Sequence, residues 1–311
     1  MPLSTGVKAL DDLMCGGVPL GVPSLLYGIP NLGKTWLCFQ LACMCTRDPK
    51  NGGLGKPVLY LDTESFFTED VFNMYYSYFK KRWPDLPDKA NIDLVRVPSI
   101  FEFGKMFGIQ ISIKQSESKV SVSTKFPTDR QSKLAGNKGE DVKETVQSGD
   151  WLKSSEVWKG FEKKGYGLLI IDSLTIPIKS VIPSETQNFP ARSSILGQLL
   201  GTMYEIAHEF NSAILITDHI TRNPMSPGYV YGVGEAWGGQ IVTYYVKNQF
   251  GLYHALKDQR EKAGLDGNRL RRVDRHRMPG KEQQIITVML AHDKGYTDAP
   301  VGTSMPAEVA E

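Results

Sequence analysis

Four short apolar runs punctuate the chain. They are Ser24-Leu25-Leu26-Tyr27, Val58-Leu59-Tyr60-Leu61-Asp62, Leu168-Leu169-Ile170-Ile171-Asp172 and Ala213-Ile214-Leu215-Ile216-Thr217. A strand with one wet face alternates apolar and polar residues. Continuous apolar runs of this length instead predict strands covered on both faces. Segments with helical spacing follow them. Thr35 to Cys45 comes after the first run, and Glu69 to Phe79 after the second. Ala191 to Phe210 places Ile195, Leu199, Met203, Ile206 and Phe210 along one helical face. Leu10 and Leu13 suit a short helix that Gly16-Gly17 ends. Apolar strands alternating with helices predict an α/β fold: a mostly parallel central sheet with helices on both faces.

Two stretches break the rhythm. Ile109, Ile111 and Ile113 alternate up to the polar Gln115-Ser116-Glu117-Ser118, and Val120 and Val122 alternate after it, which predicts a β-hairpin with a polar tip. An exposed strand there can accept a partner's strand. Residues 127–150, rich in Lys, Asp, Gly, Ser and Gln, read as a mobile surface segment. We take 109 to about 158 as an insertion in a single domain spanning 1–300, followed by a flexible tail over 301–311. The second break, 218–239, is polar with Gly, Pro and Tyr, too long for a plain connection and therefore a functional candidate.

Composition narrows the destination more than the chemistry. The 311 residues are 41% hydrophobic and 23% charged, a soluble globular profile. The net charge is only +2, so any polyanion must be met by a local patch. No apolar run reaches 18 residues, and the start Met1-Pro2-Leu3-Ser4-Thr5 lacks a signal pattern. A cytoplasmic protein, away from membranes, is expected. Of the 4 cysteines, Cys38, Cys43 and Cys45 share one predicted helix and no Cys/His cluster stands at zinc-finger spacing, so they read as core thiols.

The chemistry is concentrated at strand ends. Gly28-Ile29-Pro30-Asn31-Leu32-Gly33-Lys34-Thr35 lies between a predicted strand and a predicted helix, the context that a P-loop needs. Its glycines let backbone N–H groups close around phosphates, and the helix N-terminus adds favourable partial charge. Lys34 is expected to reach the outer phosphates, Thr35 to hold Mg²⁺, and Trp36 to lie in the same nucleotide-binding stretch. ATP with Mg²⁺ is the expected ligand. Asp172 ends an apolar strand at the edge where such sheets bind ligands, well placed for the metal's hydration shell. Asp62-Thr63-Glu64 ends another, with Glu64 the better choice for activating water.

These motifs in this order resemble the ATPase core of the RecA/RadA recombinase family, most of all its archaeal and eukaryotic branch and an archaeal paralogue within it. The resemblance rests on Leu3-Ser4-Thr5-Gly6 with Leu10-Asp11, the P-loop, Tyr60 to Glu64, Leu168 to Ser173, Ala191-Arg192 ahead of Ala207-His208-Glu209-Phe210, Gly238-Gly239 and an Arg-rich strand ending at Pro279. It implies a RecA-like fold, with Glu64 as catalytic base and Lys34, Thr35 and Asp172 on nucleotide and metal. It also makes Asp218-His219 the nucleotide sensor, at a strand end where the family has an Asn-Gln pair. The loops 179–192 and 220–239 would be DNA-binding loops, with Arg192, Arg222, Tyr229, Tyr231 and Trp237 as phosphate and base contacts. The basic stretch Lys257 to Lys281 could add to them.

The departures shape the functional expectation. The family's N-terminal DNA-binding domain and Phe-x-x-Ala tether have no counterpart here, so a monomer or small oligomer is expected rather than a long filament. The family's Arg-rich stretch after the catalytic Glu is here Thr68-Glu69-Asp70-Val71, and His219 replaces its Gln. A paralogue fits better than the strand-exchange enzyme. The expected activity is a DNA-dependent ATPase that assists recombination and repair, with single-stranded DNA and a recombinase or other protein as partners. The alternative is a KaiC-like regulatory ATPase that switches protein partners without DNA.

Overall fold

In the computed structural model the residues described are 1–115, 120–125, 150–183, 185–221, 235–256, 261, 269–291 and 293–300. Residues 127–149 of the expected mobile segment over 127–150, the tail over 301–311, Arg222, Tyr229, Tyr231, and Lys257, Arg260 and Lys262 lie outside them; Asp150 is described, at the start of a helix. The first half of the chain runs α1 (Lys8–Leu13), β1 (Pro23–Gly28), α2 (Lys34–Thr46), β2 (Val58–Asp62), α3 (Glu69–Arg82), β3 (Ile92–Arg96), α4 (Ile100–Met106), β4 (Gln110–Gln115) and β5 (Val120–Lys125). The second half runs α5 (Asp150–Lys153), α6 (Glu156–Lys164), β6 (Leu168–Asp172), α7 (Ile176–Lys179), α8 (Phe189–Phe210), β7 (Ala213–Asp218), β8 (Ile220–Thr221), β9 (Glu235–Ala236), α9 (Gly239–Tyr245), β10 (Asn248–His254), β11 (Leu270–Arg277), β12 (Gln284–Ala291) and β13 (Gly295–Asp298).

The central sheet has the order β13-β12-β11-β10-β1-β7-β6-β2-β3. From β10 to β3 every pairing is parallel, and β10 to β13 form an antiparallel extension. Both faces are covered. Along β6, Leu168 and Ile170 point into a core shared with α1, α2 and α3, while Leu169 and Ile171 point into one shared with α4, α6 and α8. The two-residue period of a strand thus divides each apolar run between two cores, which is why no run alternates. The first core is aromatic: Phe39 of α2 meets Phe67, Phe72, Tyr75 and Phe79. The second is mostly aliphatic, supplied by Ile195, Leu199, Met203 and Ile206 of α8.

The predicted hairpin is present as a separate antiparallel pair, β4 with β5, in the register Gln110↔Lys125 to Gln115↔Val120. Its apolar face is folded onto the domain. Ile111 and Val120 are buried, Gln198 Nε2 of α8 donates to Thr124 Oγ1 at 2.6 Å, and Val120 N donates to Asn188 Oδ1 at 3.0 Å. The expected end of the insertion near 158 falls within α6, whose Val157, Trp158 and Phe161 are buried in the second core.

Candidate nucleotide site and its adjoining loop

The phosphate loop begins where β1 runs out. Gly28 lies so close to β10 that a Cβ would stand 2.4 Å from the Leu252 carbonyl oxygen. Gly33 caps α2 with φ of 98°, a left-handed backbone that favours glycine, and a Cβ there would stand 2.6 Å from Leu290. The loop is held from behind by the antiparallel extension: the Leu32 carbonyl accepts from Tyr296 Oη at 2.8 Å and from Arg271 Nε at 3.0 Å. Inside it, Lys34 Nζ donates to the carbonyls of Gly28 and Ile29, both at 3.0 Å. Burial lowers the Lys34 pKa, and the charges of Asp172, Glu64 and Asp218 oppose that shift. Trp36 turns away from the loop and stacks on Tyr75 of α3 with ring centroids 3.9 Å apart. Its side chain belongs to the aromatic core; only its backbone stays with the phosphate loop.

Asp172 stands at the end of β6, buried, between neighbouring strands. Its carboxylate accepts from Tyr60 Oη at 2.8 Å and from Thr217 Oγ1 at 2.6 Å. Burial raises its pKa; hydrogen bonds from Thr217, Thr35 and Tyr60 oppose this, while the Glu64 charge adds to it. The Thr35 hydroxyl beside a carboxylate is a hard oxygen donor set of the kind that suits Mg²⁺.

Glu64 is positioned by its neighbours. Asp62 accepts from the backbone N–H groups of Glu64, Phe66 and Phe67 at 3.1, 3.2 and 2.9 Å, which folds the chain after β2 into a tight loop. Thr63 ties that loop to β6: its Oγ1 donates to the Ser173 carbonyl at 2.6 Å and accepts from Ser173 N at 2.7 Å. Glu64 Oε1 lies 3.3 Å from His219 Nε2. The hydrogen bond from His219 holds the Glu64 carboxyl below its ordinary range, against the opposing effect of burial. A half-exposed, ionised carboxylate near the phosphate loop can accept a proton from water.

His219 follows the end of β7 and opens the second loop. Its carbonyl accepts from Trp237 N at 2.9 Å, and β8 pairs with β9 through Ile220↔Ala236 and Thr221↔Glu235. These bonds join the two stretches that flank residues 222–234. Asp218, buried beside it, accepts from the Thr175 hydroxyl, from His219 N at 2.7 Å and from Gly238 N at 3.5 Å. Burial raises its pKa, and the bonds from Thr175 and the His219 backbone oppose the shift.

Of the predicted DNA contacts that are described, Arg192 and Trp237 come together but face each other. The Arg192 guanidinium lies 4.9 Å from the Trp237 ring and 4.5 Å from the Phe189 ring, and donates to the Glu185 carbonyl at 3.2 Å. It is buried, only 6% exposed, so in this arrangement it supports the aromatic wall and does not project to solvent. A cleft of about 490 Å³ runs beside it, lined by Phe189, Leu196, Trp237 and Gln240 among others. Sequence reasoning missed Tyr60 and Thr217, the polar side chains that an otherwise apolar strand carries for Asp172. It also missed Arg271 and Tyr296, which give no local signal because they reach the loop from the far end of the chain.

A sequence model of the family described as Rad51 matches residues 1–79. The DNA repair protein RAD51 homolog 2 of Homo sapiens is 25% identical over 224 residues, covering 71% of this chain and 47% of that protein. Its counterpart in Mus musculus is 25% identical over 224 residues, covering 71% and 51%. In Arabidopsis thaliana the protein of the same name is 44% identical over 66 residues, covering 21% and 18%. The chain therefore spans about half the length of the two mammalian relatives. No described helix is long and apolar enough to cross a membrane. With a mostly parallel sheet that carries a P-loop, a strand-end Asp and a strand-end Glu in the expected order, the chain has a RecA-like fold, and its sequence is similar to the Rad51 family over residues 1–79 and to these relatives.

Proposed function

We propose that this chain binds ATP with Mg²⁺ and hydrolyses it in a manner coupled to DNA, acting as a recombinase paralogue in recombinational repair. The observation that carries the reading is one junction. Glu64, beside the phosphate loop, is hydrogen-bonded to His219, and His219 is bonded through its backbone to the base of the loop over 222–234. A group that meets the nucleotide's outer phosphate at this junction biases the order of the loop next to it.

In this reading Lys34 leaves the two carbonyls that now hold it and binds the outer phosphates, alongside the backbone N–H groups of the loop and the start of α2. Thr35 and Asp172 are the side chains that would hold Mg²⁺, which when bound supplies charge neutralisation at the phosphates. Glu64 accepts the proton of the attacking water, while His219 reports the state of the terminal phosphate to the loop. Trp237 and Phe189 offer a face to single-stranded DNA, where bases stack on aromatic rings. The repair setting comes from the names of the relatives. A monomer or small oligomer that serves a recombinase or another protein partner completes the proposal.

The test is ATP turnover by the purified chain with and without single-stranded DNA. Stimulation by DNA, lost in Lys34→Ala, is the expected result. Turnover that ignores DNA, together with DNA binding that ignores nucleotide, would move the switch of protein partners into first place.

A further inference from the structure

We infer that Lys179 distinguishes nucleoside triphosphate from diphosphate, its ammonium moving from the Trp237 ring to the terminal phosphate of a triphosphate in the P-loop. The inference rests on the nucleotide-binding reading above and adds a residue to it. Lys179 is the last residue of α7, whose Pro177 and Ile178 are buried, so its backbone is fixed to the domain. Its side chain lines a cleft of about 400 Å³ whose other walls are Ile29 and Pro30 of the phosphate loop, Ile176, His219 and Ile220. Among the described residues no carboxylate lines this cleft, and the two polar side chains in its wall, Lys179 and His219, can both donate hydrogen bonds. That lining suits an anion extending from the P-loop.

The electrostatics agree with the geometry. Burial lowers the Lys179 pKa first; Asp218 and Glu64 oppose this, while the charges of Lys34 and Arg192 add to it, so the ammonium lies within the field of the nucleotide site. Its contact in this structure is the face of Trp237, with Nζ 4.8 Å from the ring centroid. A lysine is a compact charge on a flexible four-carbon stem, and a multiply charged phosphate attracts it more strongly than an aromatic face does. A triphosphate therefore draws Lys179 off Trp237, whereas a diphosphate leaves it in place. Trp237 N is bonded to the His219 carbonyl, so losing the cation acts on the same loop base that His219 reaches.

The experiment compares binding of a non-hydrolysable ATP analogue and of ADP, each with Mg²⁺, to the wild-type chain, Lys179→Met, Lys179→Arg and Lys34→Ala. Tryptophan emission is recorded in parallel, with Trp237→Phe as reference. Lys179→Met should weaken the triphosphate about tenfold, the loss of one charge–phosphate contact, and leave ADP within about twofold. Lys179→Arg should recover part of the loss. The analogue, and not ADP, should change the wild-type emission, and the change should vanish in both Trp237→Phe and Lys179→Met. An unchanged triphosphate-to-diphosphate ratio in Lys179→Met, or an equal loss of both, overturns the inference while the ATP reading stands. If Lys34→Ala binds as the wild type does, or if the wild type binds neither nucleotide, the ATP reading itself falls, and the inference with it.

Discussion

Asp172 and Asp218 end two neighbouring strands of the parallel sheet, and both are buried acids whose pKa burial raises, yet they are held in different ways. Asp172 takes its hydrogen bonds from Tyr60 and Thr217, side chains of the flanking strands. The sheet itself fixes those donors, so the carboxylate has one place to be. Asp218 takes its bonds from Thr175, ahead of α7, and from the backbone N–H groups of His219 and Gly238, at the two ends of the second loop. Its partners move if the loops move. Acids at adjacent strand ends are therefore held differently: one by the sheet, the other by segments at the ends of two loops.

The largest effect that follows belongs to the fixed side. Glu64 is set by Asp62 and Thr63, both bonded into the sheet edge, so Glu64→Gln should keep its place and lose only its proton-accepting power. Turnover should fall by at least ~10²-fold, the low end of a general base's contribution, with ATP–Mg²⁺ still bound. Rapid-quench turnover and nucleotide titration separate the two; loss of binding with an unchanged rate at saturation would make Glu64 structural.

The contrast itself is tested by two matched substitutions. Asp172→Asn should weaken Mg²⁺-dependent nucleotide binding by roughly tenfold or more, as loss of a metal-site carboxylate does. Asp218→Asn should spare nucleotide binding and instead reduce the ratio of DNA affinities measured with ATP and with ADP, a coupling on the order of 5-fold or more. If both variants lose metal and keep coupling, the two acids are not different in kind.

A smaller effect concerns the stitching that keeps the fixed side fixed. Thr63 both donates to and accepts from Ser173, in a buried site. Thr63→Val keeps the shape and removes both bonds, which should cost about 1–3 kcal/mol in urea unfolding. A change near zero would mean that water replaces the hydroxyl there.

Much of this was legible in the sequence, and the remainder was not for identifiable reasons. The central strands stood out because each is apolar on both faces, and the P-loop because its glycines sit between a strand and a helix. The edge strand β3 escaped because only Ile92 of its five residues is buried, leaving no apolar run. β10 escaped because Asn248 and Gln249 are buried in it; the Gln249 side chain finds a partner in the Val246 carbonyl at 2.7 Å. Trp36 adjoins Thr35 in sequence, but a helix turns about 100° per residue, which carries the ring onto α3. Arg192 looked like a free cation because sequence does not reveal that Phe189, in the same first turn of α8, and Trp237, from the far end of the second loop, converge on it.

The smallest effect is one of pH, and it probes the contact where the fixed and movable sides meet. His219 Nε2 lies 3.3 Å from Glu64 Oε1, and that hydrogen bond is the largest cause holding the Glu64 pKa down. A depressed carboxylate stays ionised as the pH falls, so Glu64 remains a base until the pH drops through its folded-state value. Any stability the contact contributes is present above the unfolded-state value and is lost across the same acid window. Removing His219 lets the Glu64 pKa rise. The acid limb of kcat/KM, which reports the free enzyme, should therefore shift to higher pH in His219→Ala. His219→Gln supplies a neutral hydrogen-bond donor, and its acid limb should fall between those of the wild type and the alanine variant. The unfolding stabilities of wild type and His219→Ala should also converge at acid pH. An acid limb that stays in place in both variants would mean that His219 does not govern Glu64 during turnover, and that the movable side reads the nucleotide without touching its base.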